Sequence, residues 1–401
     1  MLIGAAAIAV TLVTGTFLAL PRVIGSDRWR AIATPLASII GSGFLVTVPI
    51  LRDLSGAWAI LPMAGLLILA YLIGSAIRHN IRHVEPIFED HTAPLGLSSL
   101  ERLSHLVLAF AYFVSVTYYL VLFASFALKP FGIVDETAVK IVVTICLALI
   151  GVVGFTRGFS AVERVEVYTV SLKLAIIAGL IAGLAVFGLG ELATGTVSTI
   201  PGHFETKNVP VFLGLLIVVQ GFETSRFLGN AYDTEMRATT MKQAQILAGI
   251  IYLAFFLAMI PLLGNDVTGG GIAAIVDMLA PVSLVLPALI MIGALASQSS
   301  AAIADTLGAG GLVHDVTGGR VRVNYAYPLI AVIAAIITWE TDIYSLITLA
   351  SRCFALFYAL QCLIACFSAV RRHEPWHAAG YGLLALTCAA VVAFGAPVEG
   401  G

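Results

Sequence analysis

Long apolar runs separated by short charged clusters dominate the chain, and their lengths set the first reading. The runs lie at roughly 2–20, 33–52, 56–78, 103–128, 137–155, 164–188, 209–230, 241–264, 281–313, 324–339, 343–370 and 377–395. Runs of about 18 residues or more recur, and each is long enough to cross a hydrocarbon core about 30 Å thick as a helix. The pattern predicts an all-α integral membrane protein with about 12 transmembrane helices. The first run opens "MLIGAAAIAV" with no basic residue ahead of it, which argues against a cleaved signal peptide.

Composition agrees with a lipid solvent. Hydrophobic residues make up 60% of the chain and charged residues 11%, a balance foreign to soluble globular domains of this length. The formal net charge of −2 leaves no basic surface for nucleic acid. Cys146, Cys353, Cys362, Cys366 and Cys388 all fall inside apolar runs, where they act as small hydrophobes rather than a disulfide frame or a zinc site.

Charge also orients the chain. With the N-terminus outside, the inner loops hold Arg22, Arg28, Arg30, Arg78, Arg82, Arg102, Arg157, Arg164, Arg237, Lys242, Arg320, Arg322, Arg371 and Arg372. The outer loops then hold only Arg52, Lys129, Lys140 and Lys207, the asymmetry that positive-inside sorting produces. The expected location is a bacterial cytoplasmic (inner) membrane.

Ionisable groups at membrane depth are costly and usually line a cavity or pair with one another. Lys173, Glu223, Arg226, Asp305 and Arg352 are such groups. None sits in a nucleophile–base or metal-ligand pattern, and HExxH, GxSxG and a phosphate-binding glycine loop are absent. No enzyme activity, metal or cofactor is therefore expected. His79 and His83 share a helical spacing, but they lie with His91 in a charged inner segment and read as solvated.

Two runs carry weak spots. "IIGSGFLVTVPI" at 39–50 holds two glycines, two hydroxyls and a proline inside an apolar span. Irregular backbone survives at membrane depth only against protein or a wet cavity. A break at Gly41-Ser42-Gly43 exposes amide hydrogens on one half-helix and carbonyls on the other, which attract anions and cations respectively. Glycine also allows a ligand close to the backbone. Tight helix packing through small residues is the competing reading. The second weak spot is Gln220-Gly221-Phe222-Glu223, near the middle of 209–230. With 33–52 counted as the first of ten core spans, the two interruptions fall in core helices 1 and 6. Matching interruptions in two five-span halves point to an inverted-repeat transporter with a midplane site. The expected division is an extra N-terminal helix and inner loop at 1–30, a first repeat at 31–190, a second at 191–371, and an extra C-terminal helix at 372–401.

Three stretches carry a family likeness. "IIGSGFLVTVP", "QGFETSRFLGNAYDTEMR…QAQILAGIIY" and "SAVERVEVYTVSLKLAIIAGLIAGL" resemble the first, sixth and fifth core helices of the amino acid–polyamine–organocation (APC) superfamily. That resemblance implies the five-plus-five, leucine-transporter-like fold. It departs from the family in the leading span 2–20, the missing Asn-Pro of the inner loop, and the charge at Arg226. It further implies that Ala296, Ser299 and Ser300 match eighth-helix positions that hold sodium in the sodium-coupled branch, through hard oxygen ligands. In the proton-coupled or exchanging branch a fifth-helix lysine, here Lys173, fills that space. A buried ammonium carries the ion's charge and can give up its proton during a cycle. Snorkelling of Lys173 to the inner headgroups is the plainer alternative.

The expected function is secondary active transport of an amino acid or related amine, coupled to protons or exchanging. The solute is expected at Gly41, Ser42, Gly43, Phe44, Gln220, Gly221, Phe222 and Glu223, with Lys173 or the sodium-type set as the coupling group. Glu223 is expected to brace the unwound turn. Arg226, Asp305 and Arg352 are candidate gate residues, with Asp305 as the partner of either arginine. Tyr112, Tyr118 and Tyr119 either face the site or pack the core. A sodium symporter, a channel and a non-transporting sensor are the alternatives.

Overall fold

The computed structural model describes the chain apart from residues 42, 91–93, 158–161, 196–199, 230, 265–272 and 398–401. For residues 44, 89 and 162–166 it describes the backbone alone. The expected site residue Ser42 and the side chain of Phe44 therefore lie outside the described part.

In chain order the helices are α1 (Leu2–Leu18), α2 (Pro21–Ile24), α3 (Asp27–Ile39), α4 (Gly43–Ser55), α5 (Ile60–His83) and α6 (Glu85–Glu89). Next come α7 (Leu95–Leu128), α8 (Glu136–Arg157), α9 (Val162–Thr194), α10 (Val209–Leu213) and α11 (Thr234–Met259). The last five are α12 (Ala274–Leu279), α13 (Val285–Val316), α14 (Val323–Glu340), α15 (Ile343–Arg371) and α16 (Pro375–Phe394). No strand occurs among the described residues.

Nine of the described helical segments are long and apolar enough to cross a membrane. The other three expected spans take different forms. α1 is a shorter apolar helix, 33–52 divides between α3 and α4, and 209–230 begins as α10 and continues as 3-10 turns. This is a multi-pass integral membrane protein.

Helix starts follow ordinary capping chemistry. Ser26, Asp233 and Asp342 accept from free amides at the heads of α3, α11 and α15. Proline opens α2, α6, α10 and α16, where its missing N–H costs nothing.

Burial separates a core from a lipid-facing ring. In α7 and α15, 72% of the spanning window is buried, against 28% in α8, α14 and α16. The ring helices point residues such as Leu149, Val152, Val332, Ile336, Leu383 and Leu386 outward, as a hydrocarbon solvent requires. α1 docks on α9 through small residues. A Cβ added at Gly179 would fall on the Thr11 hydroxyl, and one at Gly183 would press on Ala7 and Leu286.

The two interruptions differ in form. α3 stops at Ile39, Ile40 leaves the helix at ψ 49°, and α4 starts at Gly43. The second interruption is longer than the sequence suggests. After α10 the chain tightens into a 3-10 turn (Leu216–Val219), extends at Gln220, turns left-handed at Gly221 (φ +113°), and winds again as 3-10 over Phe222–Leu228. At Gly214, just past the end of α10, the Ala396 carbonyl occupies the space a side chain would need. The β-branched run Ile217-Val218-Val219 then follows in the tighter turn.

Candidate functional site

A helix that stops inside the protein leaves carbonyls without helical partners, and each must be met by something. At the end of α3, side chains from three other helices meet them. Leu36 keeps its bond from the Ile40 amide at 2.9 Å. Lys173 on α9 donates Nζ to the Ala37 carbonyl at 2.9 Å and is only 1% exposed. Tyr252 on α11 donates to the Ile39 carbonyl at 3.0 Å, and Ser297 on α13 donates to the Gly41 carbonyl at 2.9 Å. Lys173 thus lies at the negative end of a helix dipole, where a cation is favoured. It does not snorkel to the inner headgroups.

The second interruption packs directly on the first. The Tyr252 hydroxyl also lies 2.8 Å from the Val218 carbonyl, so one phenol serves acceptors from both broken segments. Gly43 lies against this junction, and a Cβ there would fall on the Tyr252 hydroxyl and the Val218 carbonyl. Gly221 lies against Ser38 and Ile39 just as closely. Its positive φ favours glycine independently. In this conformation the glycines therefore serve contact between the two breaks, while Gly41 faces the Tyr119 ring.

Glu223 braces its own turn. Its Oε2 accepts from the Gly221 amide at 2.9 Å and from the Tyr358 hydroxyl at 2.7 Å. The Tyr358 ring stacks on Phe222 at 5.0 Å between centroids. Gln220 donates Nε2 to the Tyr119 hydroxyl at 2.8 Å, and the Ile217 amide donates to Ser351 at 2.9 Å. Among the described residues several fully buried polar atoms remain unpaired, including Gln220 Oε1, Glu223 Oε1, Ser225 Oγ and both polar atoms of Gln298. They give the region spare capacity to accept and donate hydrogen bonds.

Other expected residues fall elsewhere. Ser299 donates to Leu295 and Ala296 of its own helix, at 2.8 and 3.2 Å, and Ala296, Ser299 and Ser300 are only part-buried. The hydroxyl that reaches the first break is that of Ser297.

The expected pairing of Asp305 with an arginine is corrected. Asp305 accepts from Ser115 on α7. Arg226 pairs with Glu85 at 3.1 Å and with Glu101 at 2.7 Å, and donates to Gln361. Arg237 closes the same cluster, at 2.7 Å from Glu85 and 2.9 Å from the Arg226 carbonyl. Arg352 donates to the Gly395 carbonyl at 3.1 and 2.6 Å. The physical reason is reach. Arg226 ends its segment beside acids brought by α6 and α7, whereas Asp305 faces the middle of α7. Glu85 and Glu101 carry no local pattern that marks them; only the need to neutralise a buried Arg226 pointed to a partner. Tyr119 faces the breaks, while the Tyr112 ring packs against Gly308 and Phe354.

Among the described residues no group of three or more His, Cys, Asp or Glu gathers closely enough to hold a metal ion. Broken helix ends, the buried Lys173 amino group and unpaired acceptors thus meet where the two interrupted segments touch.

Comparison with known proteins gives two findings. A family model described as an APC superfamily transporter matches residues 21–395. A chain from Aquifex aeolicus (strain VF5), described as an uncharacterized protein, is 39% identical over 376 residues, which cover 92% of this chain and 91% of that one.

Proposed function

The chain belongs to a family of APC superfamily transporters, and on that premise we propose that it carries an amino acid or related amine across a bacterial inner membrane. The observation that carries this reading is the meeting of the two breaks. Lys173 lies on a free carbonyl of the first, and unpaired acceptors remain on the second. An α-amino acid presents an ammonium and a carboxylate a few ångströms apart. The unpaired oxygens of Gln220 and Glu223 suit the former, and amides freed at the first break suit the latter.

The cycle consists of the two broken segments rocking against the remaining helices, as expected if 31–190 and 191–371 are inverted repeats. The described conformation is closed at the centre, because Gly43 and Gly221 press the breaks together. Opening inward must part the Arg226–Glu85–Glu101 cluster, which ties the second segment to α6 and α7. Opening outward must release the Lys129–Asp277 pair, 2.6 Å long, which ties α7 to α12.

Lys173 serves as the coupling group. Its ammonium holds the Ala37 carbonyl in the closed state, and proton loss removes the charge that strengthens this bond and so loosens it. The half-buried placement of Ser299 and Ser300 favours this over sodium coupling. In proteoliposomes with an imposed pH gradient, Lys173→Ala should abolish proton-linked uptake while leaving exchange measurable. Unchanged pH dependence in the variant would remove Lys173 from the coupling step, and uptake rising with sodium at fixed pH would favour the sodium symporter.

A further inference from the structure

Among the described residues, the side chain with the largest unmet hydrogen-bonding demand lies on α13 and has been assigned no role so far. Gln298 is 0% exposed, and among the described residues neither Nε2 nor Oε1 has a partner. A primary amide brings two donors and an acceptor oxygen with two lone pairs, and burying all of them unmet is costly. Glu223 and Gln220 each leave one oxygen free but pair the other polar atom. Gln298 pairs nothing.

Along α13, Gln298 lies at the depth of the first break, on the face that Asp305 turns toward α7 rather than the one Ser297 turns to Gly41. Its neighbour Ser297 reaches the Gly41 carbonyl. α13 runs antiparallel to α7, since the Tyr112 ring meets Gly308 and Ser115 meets Asp305. Followed outward in that register, Gln298 lies two turns, about 10 Å, from Asp305. Tyr119, which holds Gln220 at the second break, lies one turn beyond Ser115 on the facing helix. Gln298 shares its buried stripe with Ala294, Ala301 and Ala302, small residues that crowd it least. The charged groups nearby have partners of their own: Lys173 has the Ala37 carbonyl, Asp305 has Ser115, and Glu223 has the Gly221 amide.

We infer that Gln298 reads the tail of the transported solute, and that this tail carries a neutral hydrogen-bonding group, an amide or a hydroxyl. The inference rests on the transport reading above and narrows its substrate class. A hydrocarbon tail leaves both amide atoms unmet. A charged tail finds no opposite charge in an amide. An amide or hydroxyl returns both a donor and an acceptor, and a site built this way discriminates strongly against analogues that lack them.

The test uses the purified full chain in detergent and ligand-induced shifts in melting temperature. The probes are glutamine and methionine, nearly equal in size, followed by serine, leucine, glutamate and arginine. In the wild type, glutamine should act at a concentration at least about tenfold lower than methionine. In Gln298→Met that ratio should reverse by at least about tenfold. The empty variant should melt no lower than the wild type, because the substitution removes an unpaired amide.

Equal action of glutamine and methionine on the wild type overturns the inference but not the transport reading, and so does equal weakening of both in the variant. A lower melting temperature of the empty variant also overturns it, by showing the amide to be a structural group. If none of the six probes shifts the wild-type melting temperature, the amino-acid reading of the substrate fails and this inference falls with it.

Discussion

The two broken segments meet the same need with different balances of outside and internal partners. At the first, Lys173, Tyr252 and Ser297 come from three separate helices to meet the carbonyls of Ala37, Ile39 and Gly41. At the second, the chain supplies its own brace, Glu223 onto the Gly221 amide, and leaves Gln220 Oε1, Glu223 Oε1 and Ser225 Oγ unmet. The first break is therefore met by donors from its surroundings, whereas the second adds an internal brace to its contacts with Tyr119, Ser351 and Tyr358 and keeps spare polar capacity. Two breaks of equal appearance in sequence need not share the work equally. The first has its carbonyls met, and the second keeps unpaired oxygens among the described residues, which on the proposed function are the ones that receive a ligand.

The strongest way to break this comparison is to force the two apart. Gly43→Ala places a methyl group on the Tyr252 hydroxyl and the Val218 carbonyl, atoms that belong to both sides of the junction. Backbone cannot yield cheaply, so the variant should lose about 3 kcal/mol or more and with it all uptake. Gly249→Ala, on the same helix as Tyr252 but facing open space, is the control. It should gain a few tenths to about 1 kcal/mol from helix propensity. Thermal unfolding of the two variants in detergent checks both; equal melting temperatures would show that the breaks do not depend on contact at Gly43.

A finer cut sets one tyrosine against another. Tyr252→Phe removes the donor shared by the Ile39 and Val218 carbonyls and leaves buried acceptors unmet, at a cost of about 1–3 kcal/mol. Tyr358→Phe leaves Glu223 its bond from the Gly221 amide. It should therefore lower the melting temperature less and change the apparent affinity for solute more. The opposite ranking would mean that the second break is the structural anchor.

Much of this site was legible in the residue pattern, and what escaped it did so for geometric reasons. Glycines and hydroxyls inside an apolar run marked the first break, and Gln220-Gly221 marked the second, because such residues have few other uses at that depth. Lys173 stood out as the one charge between Glu166 and Glu191 on its helix. The choice among the serines of "ASQSS" was not legible. Successive helix positions turn by about 100°, so Ser297 and Ser299 face different neighbours, and composition cannot tell which faces the break. The partners of Arg226 were hidden for another reason. Glu85 and Glu101 lie more than a hundred residues away, and an ion pair of that separation leaves no periodic trace. Small expected contributions such as helix caps were the easiest to read, since cap and capped amide are only two or three residues apart.

One such cap gives the smallest effect and sets the scale for the others. Asp342 heads α15, the helix that brings Ser351 and Tyr358 to the second break, and accepts from the amides of Tyr344 and Ser345 at 2.9 and 3.0 Å. Partial burial pushes its carboxyl up, but the hydrogen bonds from Ser345 and Tyr344 outweigh that and hold it below the usual range. A carboxyl depressed in the folded state contributes stability that is present above its unfolded value, about 3.9, and lost as pH falls through its folded value. Asp342→Ala should therefore cost about 1 kcal/mol at pH 7, and the gap from the wild type should close as pH drops below about 4. Ligand affinity should stay unchanged, because Tyr358 lies some 24 Å further along the helix. If melting curves over that pH range show a constant gap, the cap's charge contributes nothing. If the variant also weakens solute binding, then α15 transmits strain through Ser351 and Tyr358 to the second break, and the spare polar capacity of that break depends on a helix start far from it.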